Sequence, residues 1–223
     1  WTPVRPTAGK LKEGSEETIK RALAIRHLEL PVGEFIKEAL EDIPVLSREL
    51  LEDNVRDEDR HDIALNYIAE AHGVDEKAEA EAHKLQAAWA AHPDHTVLKA
   101  VTIEKAIFFV LLPFFRFNGD TGLRVTSADV SRDEVIHVSS HSLVCKELGL
   151  TASPSLDKLR KATINWVLQP LGDSEDRYLN KKFWLEQSDN LMYRGKAEGL
   201  ADTRRARVPA FFETSNSDLP SYA

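Results

Sequence analysis

Two tetrads, Glu58-Asp59-Arg60-His61 and Glu134-Val135-Ile136-His137, each set a carboxylate and an imidazole three residues apart. On a helix, positions i and i+3 project from the same face. Each pair can therefore reach one metal-binding point. Alone, either tetrad reads equally well as decoration of an exposed acidic helix. A further Glu precedes each at similar spacing: Glu29 stands 29 residues before Glu58, and Glu104 stands 30 before Glu134. Each interval suits one up-and-down helix connection, so the two halves form a quasi-repeat. Dimetal four-helix bundles draw one Glu from each of two helices and Glu-x-x-His from each of the other two.

The surroundings of Glu104 add weight. It is embedded between Val101-Thr102-Ile103 and Ile107-Phe108-Phe109-Val110-Leu111-Leu112. A bare carboxylate in such a segment is costly unless it is protonated, paired or bound to a cation. We therefore expect Glu29, Glu58, His61, Glu104, Glu134 and His137 to ligate two metal ions. Glu58 lacks the apolar setting, since its neighbours Asp57, Asp59 and Arg60 look solvated. The other histidines (His27, His72, His83, His92, His95 and His141) read as surface or packing residues. His141 alone, one turn after His137, is kept as a group that could support a ligand.

The elements that must position these residues are helices. Glycine is sparse, with 10 in 223 residues, and helical periodicity dominates over strand alternation. The first pattern runs from Ser15 to Glu41, with Ser15, Glu16 and Glu17 as a start signal. Pro31 inside it should kink the helix or open its ladder. Further helices are expected from about Pro44 to His72, from Asp75 to Ala91, and from Thr96 to Phe117. The last of these is apolar nearly all round, which predicts a central position. Others follow from about Ser127 to Leu148, near Leu156 to Leu168, and near Asn180 to Leu200. The whole is an all-α bundle, read as a single domain over residues 1–202 with an extended tail over 203–223.

Bulk properties narrow the function classes. A net charge of −8 and a pI near 5.5 leave no basic stripe for nucleic acid. The longest apolar run, Ile107 to Phe115, is nine residues and holds Pro113, against roughly 20 residues for a membrane span. The lone Cys145 rules out an internal disulfide framework and makes a reducing cytoplasm the expected compartment.

With these residues in view, the sequence resembles the radical-generating small (beta) subunit of class I ribonucleotide reductase, in the ferritin-like dimetal-carboxylate superfamily. Trp1-Thr2-Pro3 is similar to the Trp-x-Pro motif that opens that family's core. Glu29-Leu30-Pro31-Val32-Gly33 resembles the segment of its first metal ligand, in the version using Glu rather than Asp. Glu104-Lys105-Ala106-Ile107-Phe108-Phe109 resembles the segment of the third ligand. Arg132-Asp133-Glu134-Val135-Ile136-His137 matches most closely, because Arg-Asp-Glu-x-x-His is characteristic of the family.

The resemblance implies a ferritin-like bundle, ligation by the six residues above, and Glu58 and Glu134 as bridging carboxylates. It implies that Asp133 links His61 to Trp1 along the route by which an electron or radical passes. It also implies a manganese–iron or di-iron pair, activated by oxygen, whose oxidant starts reduction of ribonucleotides to deoxyribonucleotides for DNA replication. The partner is then the large catalytic subunit, docked through a tail in which Phe211-Phe212-Glu213 and Tyr222 resemble the docking and relay segment. A homodimer is expected.

One position departs from the family pattern. The radical Tyr sits four residues after the His of the first tetrad, and that position here is Leu65. Leu cannot form a stable oxidised radical. Either the oxidising equivalent stays on a manganese–iron pair, or Tyr67 or another residue serves, or the chain performs another oxidation. A self-contained dimetal oxidase or oxygenase acting on a small substrate is the second reading. Ferritin-like iron storage and a purely structural bundle are two further ones.

Overall fold

A computed structural model describes residues 1–39, 43 and 45–200, excepting the side chains of residues 30, 45–47 and 50. Among the described residues the chain is all helical, with no strand. The helices are α1 (Glu16–Ala24), α2 (Glu29–Ala39), α3 (Val45–His72), α4 (Glu76–Ala91), α5 (Thr96–Ile103), α6 (Phe109–Asn118), α7 (Thr121–Glu147), α8 (Pro154–Val167) and α9 (Lys181–Arg194). The tail read from residue 203, with Phe211, Phe212, Glu213 and Tyr222, lies outside the described residues. No described helix is long and apolar enough to cross a membrane.

Four helical runs close into a ring around the centre: α2 packs on α3, α3 on α7, α7 on α5, and α5 back on α2. Each long helix turns one stripe inward. In α3, of about 42 Å at 1.5 Å per residue, the buried positions include Leu51, Asn54, Glu58, His61, Leu65 and Ile68. In α7 they include Ser127, Val130, Glu134, His137, His141 and Val144. Steps of three and four residues keep each set on one face. Helix α1 covers α3 and α4, and α9 covers α6 and the segment that joins it to α5.

The expected first helix is broken, though not at Pro31. The break is a 3₁₀ turn over Ile25–Leu28, and Pro31 sits in the first turn of α2. There its missing N–H has no intrahelical partner to lose. Ser15 starts α1, but its hydroxyl donates to the Lys12 carbonyl (2.6 Å) rather than capping the helix.

The expected fourth helix is likewise one run with a defect. Between α5 and α6 lies a π-helical segment, Glu104–Phe108, in which the Phe109 N–H reaches the Glu104 carbonyl five residues back. Such bulges gather at functional sites, and this one begins on a predicted ligand. It is braced from outside, since the Ser188 hydroxyl donates to the Ala106 carbonyl (2.6 Å). Ser188 Oγ in turn accepts from the buried Arg160 (2.6 Å).

Two boundaries differ from expectation. Helix α7 begins at Thr121, six residues before Ser127, because Asp120 caps it by accepting from the Leu123 N–H (2.9 Å). The early Gly122 disguises this start. A Cβ there would come within 2.8 Å of Pro6, so the glycine admits the N-terminal segment. Helix α9 ends at Arg194 rather than near Leu200, where Gly195 turns left-handed at φ 68°.

Asp120 also accepts from the Gly9 N–H (2.5 Å) and pairs with His72 (3.1 Å). It thus joins the N-terminal segment, the end of α3 and the start of α7. Asp120→Ala should lower unfolding free energy by about 1–2 kcal/mol, the usual cost of a lost N-cap. Urea denaturation checks this, and an unchanged midpoint would contradict it.

Candidate metal centre

The six predicted ligands meet at the centre of the ring, all of them buried. Glu29 comes from the first turn of α2, Glu58 and His61 from α3, Glu104 from the start of the π segment, and Glu134 and His137 from α7. Their ligand atoms fall into two groups that could each hold a metal ion. One is Glu29, Glu58, His61 and Glu134; the other is Glu58, Glu104 and His137.

The geometry between the groups is nearly two-fold. His61 Nδ1 lies 3.6 Å from Glu58 Oε2 and 3.3 Å from Glu134 Oε1. His137 Nδ1 lies 3.0 Å from Glu58 Oε1 and 3.7 Å from Glu134 Oε2. Glu58 and Glu134 thus each offer one oxygen to either imidazole, as bridging carboxylates must. Glu29 serves only the first imidazole (3.8 Å) and Glu104 only the second (3.8 Å).

The outer nitrogens fix how the rings are used. His61 Nε2 faces Asp133 Oδ2 at 3.2 Å, and His137 Nε2 faces Asp57 Oδ2 at 3.2 Å. A carboxylate accepts, so each Nε2 carries a hydrogen, and each Nδ1, once any proton of its own has left, turns a lone pair inward. Ligating histidines are typically oriented this way. Both Nδ1 atoms, both oxygens of Glu29, Glu58 and Glu134, and Glu104 Oε1 are buried without a hydrogen-bond partner. Orphaned buried groups in such number call for an explanation. Four carboxylates and two neutral imidazoles carry a charge of −4, which two divalent cations cancel. The donor set fits a pair of metal ions.

The protein's own charges alone leave the centre frustrated. Burial, then Glu134, raises the Glu104 carboxyl well above the usual range. Burial also raises Glu29, with His61 opposing and Glu58 adding to it. Burial would raise Glu58 as well, but His137 and His61 hold it far below its ordinary value. Burial acts to lower His137, yet its contacts with Glu134 and Glu58 push it up to about 11.

Two features were not anticipated, and the reading of His141 gains a specific contact. Glu58 is as buried as Glu104, because Asp59 faces out while Glu58 lies on the inner stripe of α3. Its neighbours Asp59 and Arg60 do reach solvent, as expected, but Glu58 itself points the other way. Asp57 plays for His137 the part that Asp133 plays for His61, and the repeated Asp-Glu-x-x-His pattern carried that signal. His141, kept as a supporting group, donates its Nδ1–H to Glu104 Oε2 (2.7 Å), and its Nε2 meets Asn54 Nδ2 (3.2 Å). Asn54 and Asp57 both line an open cleft of about 600 Å³, with Asp53, Arg56, Arg60 and Ile136. The cleft thus reaches the groups that hold His137 and His141, while the six ligands themselves stay buried behind them.

On the His61 side Asp133 meets Trp1, 36% exposed, whose indole Nε1 donates to Asp133 Oδ2 (2.7 Å). Trp1 also stacks on His61, with ring centroids 6.0 Å apart. Leu65 is buried on the same stripe as Glu58 and His61. Tyr67 points elsewhere, its ring under the Arg5 guanidinium at 4.1 Å. Tyr178 stacks on Phe117, and Tyr193 donates to Asp157 (2.5 Å). No protein-family model matches the chain, and neither does any curated protein or solved structure.

A proton and a metal ion compete for the same lone pair on His137. With the imidazole pushed up to about 11, its proton is present throughout the neutral range and must leave when a cation arrives. Divalent metal uptake at pH 7 should therefore release protons, and affinity should rise as pH rises. Calorimetry in buffers of different ionisation enthalpy checks this; affinity independent of pH between about 6 and 8 would contradict it.

Proposed function

We propose that the chain is the small, radical-generating subunit of a class I ribonucleotide reductase, with a ferritin-like fold built around a dimetal centre. The observation that carries this reading is the continuous link from Trp1 through Asp133 to His61 (2.7 and 3.2 Å). A self-contained metal site needs no aromatic ring hydrogen-bonded to the carboxylate that orients one of its ligands. A site that exchanges electrons with a partner does.

Each residue has a derivable part. Glu29, Glu58, His61, Glu104, Glu134 and His137 would hold the ions. Carboxylate-rich sites with two imidazoles suit manganese and iron, as a manganese–iron or di-iron pair. Once bound and oxidised by dioxygen, such ions would supply a one-electron oxidant. Asp133 stays ionised: burial works against it, but His61 and Trp1 hold its carboxyl below the usual range. It thereby fixes the tautomer of His61 and keeps Trp1 seated. The buried Leu65 offers no oxidisable ring beside the centre, in keeping with an oxidant stored on the metals. Residues 203–223 would dock on the large subunit, and a homodimer is expected.

Leu65 also favours a second reading, a dimetal oxidase or oxygenase that acts on its own small substrate. The two separate cleanly. Removal of residues 203–223 should abolish binding to the large subunit and ribonucleotide reduction while leaving two metals per chain. An oxidase would keep its turnover without that segment.

Asp133→Ala should lower ribonucleotide reduction with the large subunit by at least about 10–100-fold, the usual cost of losing a ligand's partner. Metal analysis alongside turnover checks this, with the expectation that both ions remain bound. Glu134→Ala should abolish metal pairing and activity together, and activity surviving it would overturn the assignment.

A further inference from the structure

His27 and His83, read from the sequence as separate surface or packing residues, come together beside the 3₁₀ turn. Their rings stack with centroids 4.2 Å apart and an interplanar angle of 29°. Beside them stands Glu79, one turn before His83 on α4, whose Oε2 contacts His27 Nε2. One ligand atom from each of the three residues lies within 4.8 Å of the others. None of the three contacts any of the six central ligands.

The surroundings prepare Glu79 and His83 as donors, and His27 joins them when the proton its Nε2 donates to Glu79 gives way to the ion. His83 Nδ1 lies 3.1 Å from Gln86 Oε1. An amide oxygen only accepts, so Nδ1 carries the hydrogen and Nε2 keeps its lone pair for the cluster. Arg26 donates to both oxygens of Glu79 (2.6 and 3.1 Å), which orients the carboxylate while leaving lone pairs free. Burial would raise Glu79, but Arg26 and His27 hold it below its ordinary value. Its side chain and that of His27 are about four-fifths covered, whereas His83 is exposed. A cation can thus approach from solvent and be closed over by the rotation of one surface imidazole.

We propose that His27, Glu79 and His83 form a second metal site, separate from the central one, for a single divalent transition ion of the zinc class. Two imidazoles and one carboxylate are a zinc donor set that leaves a fourth position for water. Hard ions such as magnesium or calcium require oxygen ligands and do not suit it. An ion there ties α4 to the Ile25–Leu28 turn, and so braces the stretch of chain that delivers Glu29. This site goes beyond the proposed function and does not depend on it.

The test counts zinc bound per full-length chain by equilibrium dialysis, for the wild type, His83→Ala, His27→Ala and Glu134→Ala. His83→Ala, at an exposed position, and His27→Ala should each bind one ion fewer than the wild type, and Glu134→Ala should retain that ion. In cobalt-substituted protein, the visible band of a low-coordinate site should vanish with His83→Ala and persist with Glu134→Ala. The same stoichiometry and affinity in His83→Ala and wild type would overturn the site. Ions lost with Glu134→Ala but not with His83→Ala would overturn it and leave the central reading standing. A sole ion lost with His83→Ala would do the reverse.

Discussion

Four carboxylates enclosed in one low-dielectric core set the terms for everything around them. Removing a carboxylate from water costs several kcal/mol even after relaxation, and Glu29, Glu58, Glu104 and Glu134 are all removed together. Two imidazoles cannot neutralise four such charges, however well placed. The bundle must supply an apolar frame stiff enough to hold the carboxylates apart, and the site must take up positive charge, as protons or as cations. The ring of α2, α3, α5 and α7 answers the first need. A donor set with its lone pairs turned inward answers the second.

The near two-fold arrangement gives the two halves different surroundings. Asp133 leads from His61 to the exposed Trp1, whereas Asp57 leads from His137 to the cleft beside Arg56 and Arg60. His141 adds a contact to Glu104 that Glu29 does not have. One side thus ends on an aromatic ring, and the other on an open cleft that stops at Asn54 and Asp57. The π segment contributes to the same asymmetry. It shifts the helical register at Glu104 alone, and the Ser188–Ala106 contact anchors it from α9.

Much of this was legible in the sequence. Two Glu-x-x-His tetrads, each with an earlier Glu, were enough to bring six residues to one point, because helix period and connection length leave few alternatives. Asp57 was equally legible in the repeated Asp-Glu-x-x-His, but its charged neighbours Asp59 and Arg60 masked the inner stripe Leu51–Asn54–Glu58–His61–Leu65. Other features had no local signature. The π segment depends on packing against α9, and the early start of α7 depends on Asp120 and on room for Pro6. The meeting of His27 with His83 needs α4 to fold back against the 3₁₀ turn, which residue spacing alone does not encode. The displaced break ahead of Pro31 follows from its place in the first helical turn, where proline is tolerated.

The central claim is that these six residues hold two metal ions bridged by Glu58 and Glu134. Anomalous diffraction from crystals of the full chain grown with manganese and iron tests it most directly. Two peaks are predicted inside the ring. One should lie among Glu29, Glu58, His61 and Glu134, and the other among Glu58, Glu104, Glu134 and His137, with both imidazoles bound through Nδ1. A single peak, or none at this centre in metal-saturated crystals, would contradict the account.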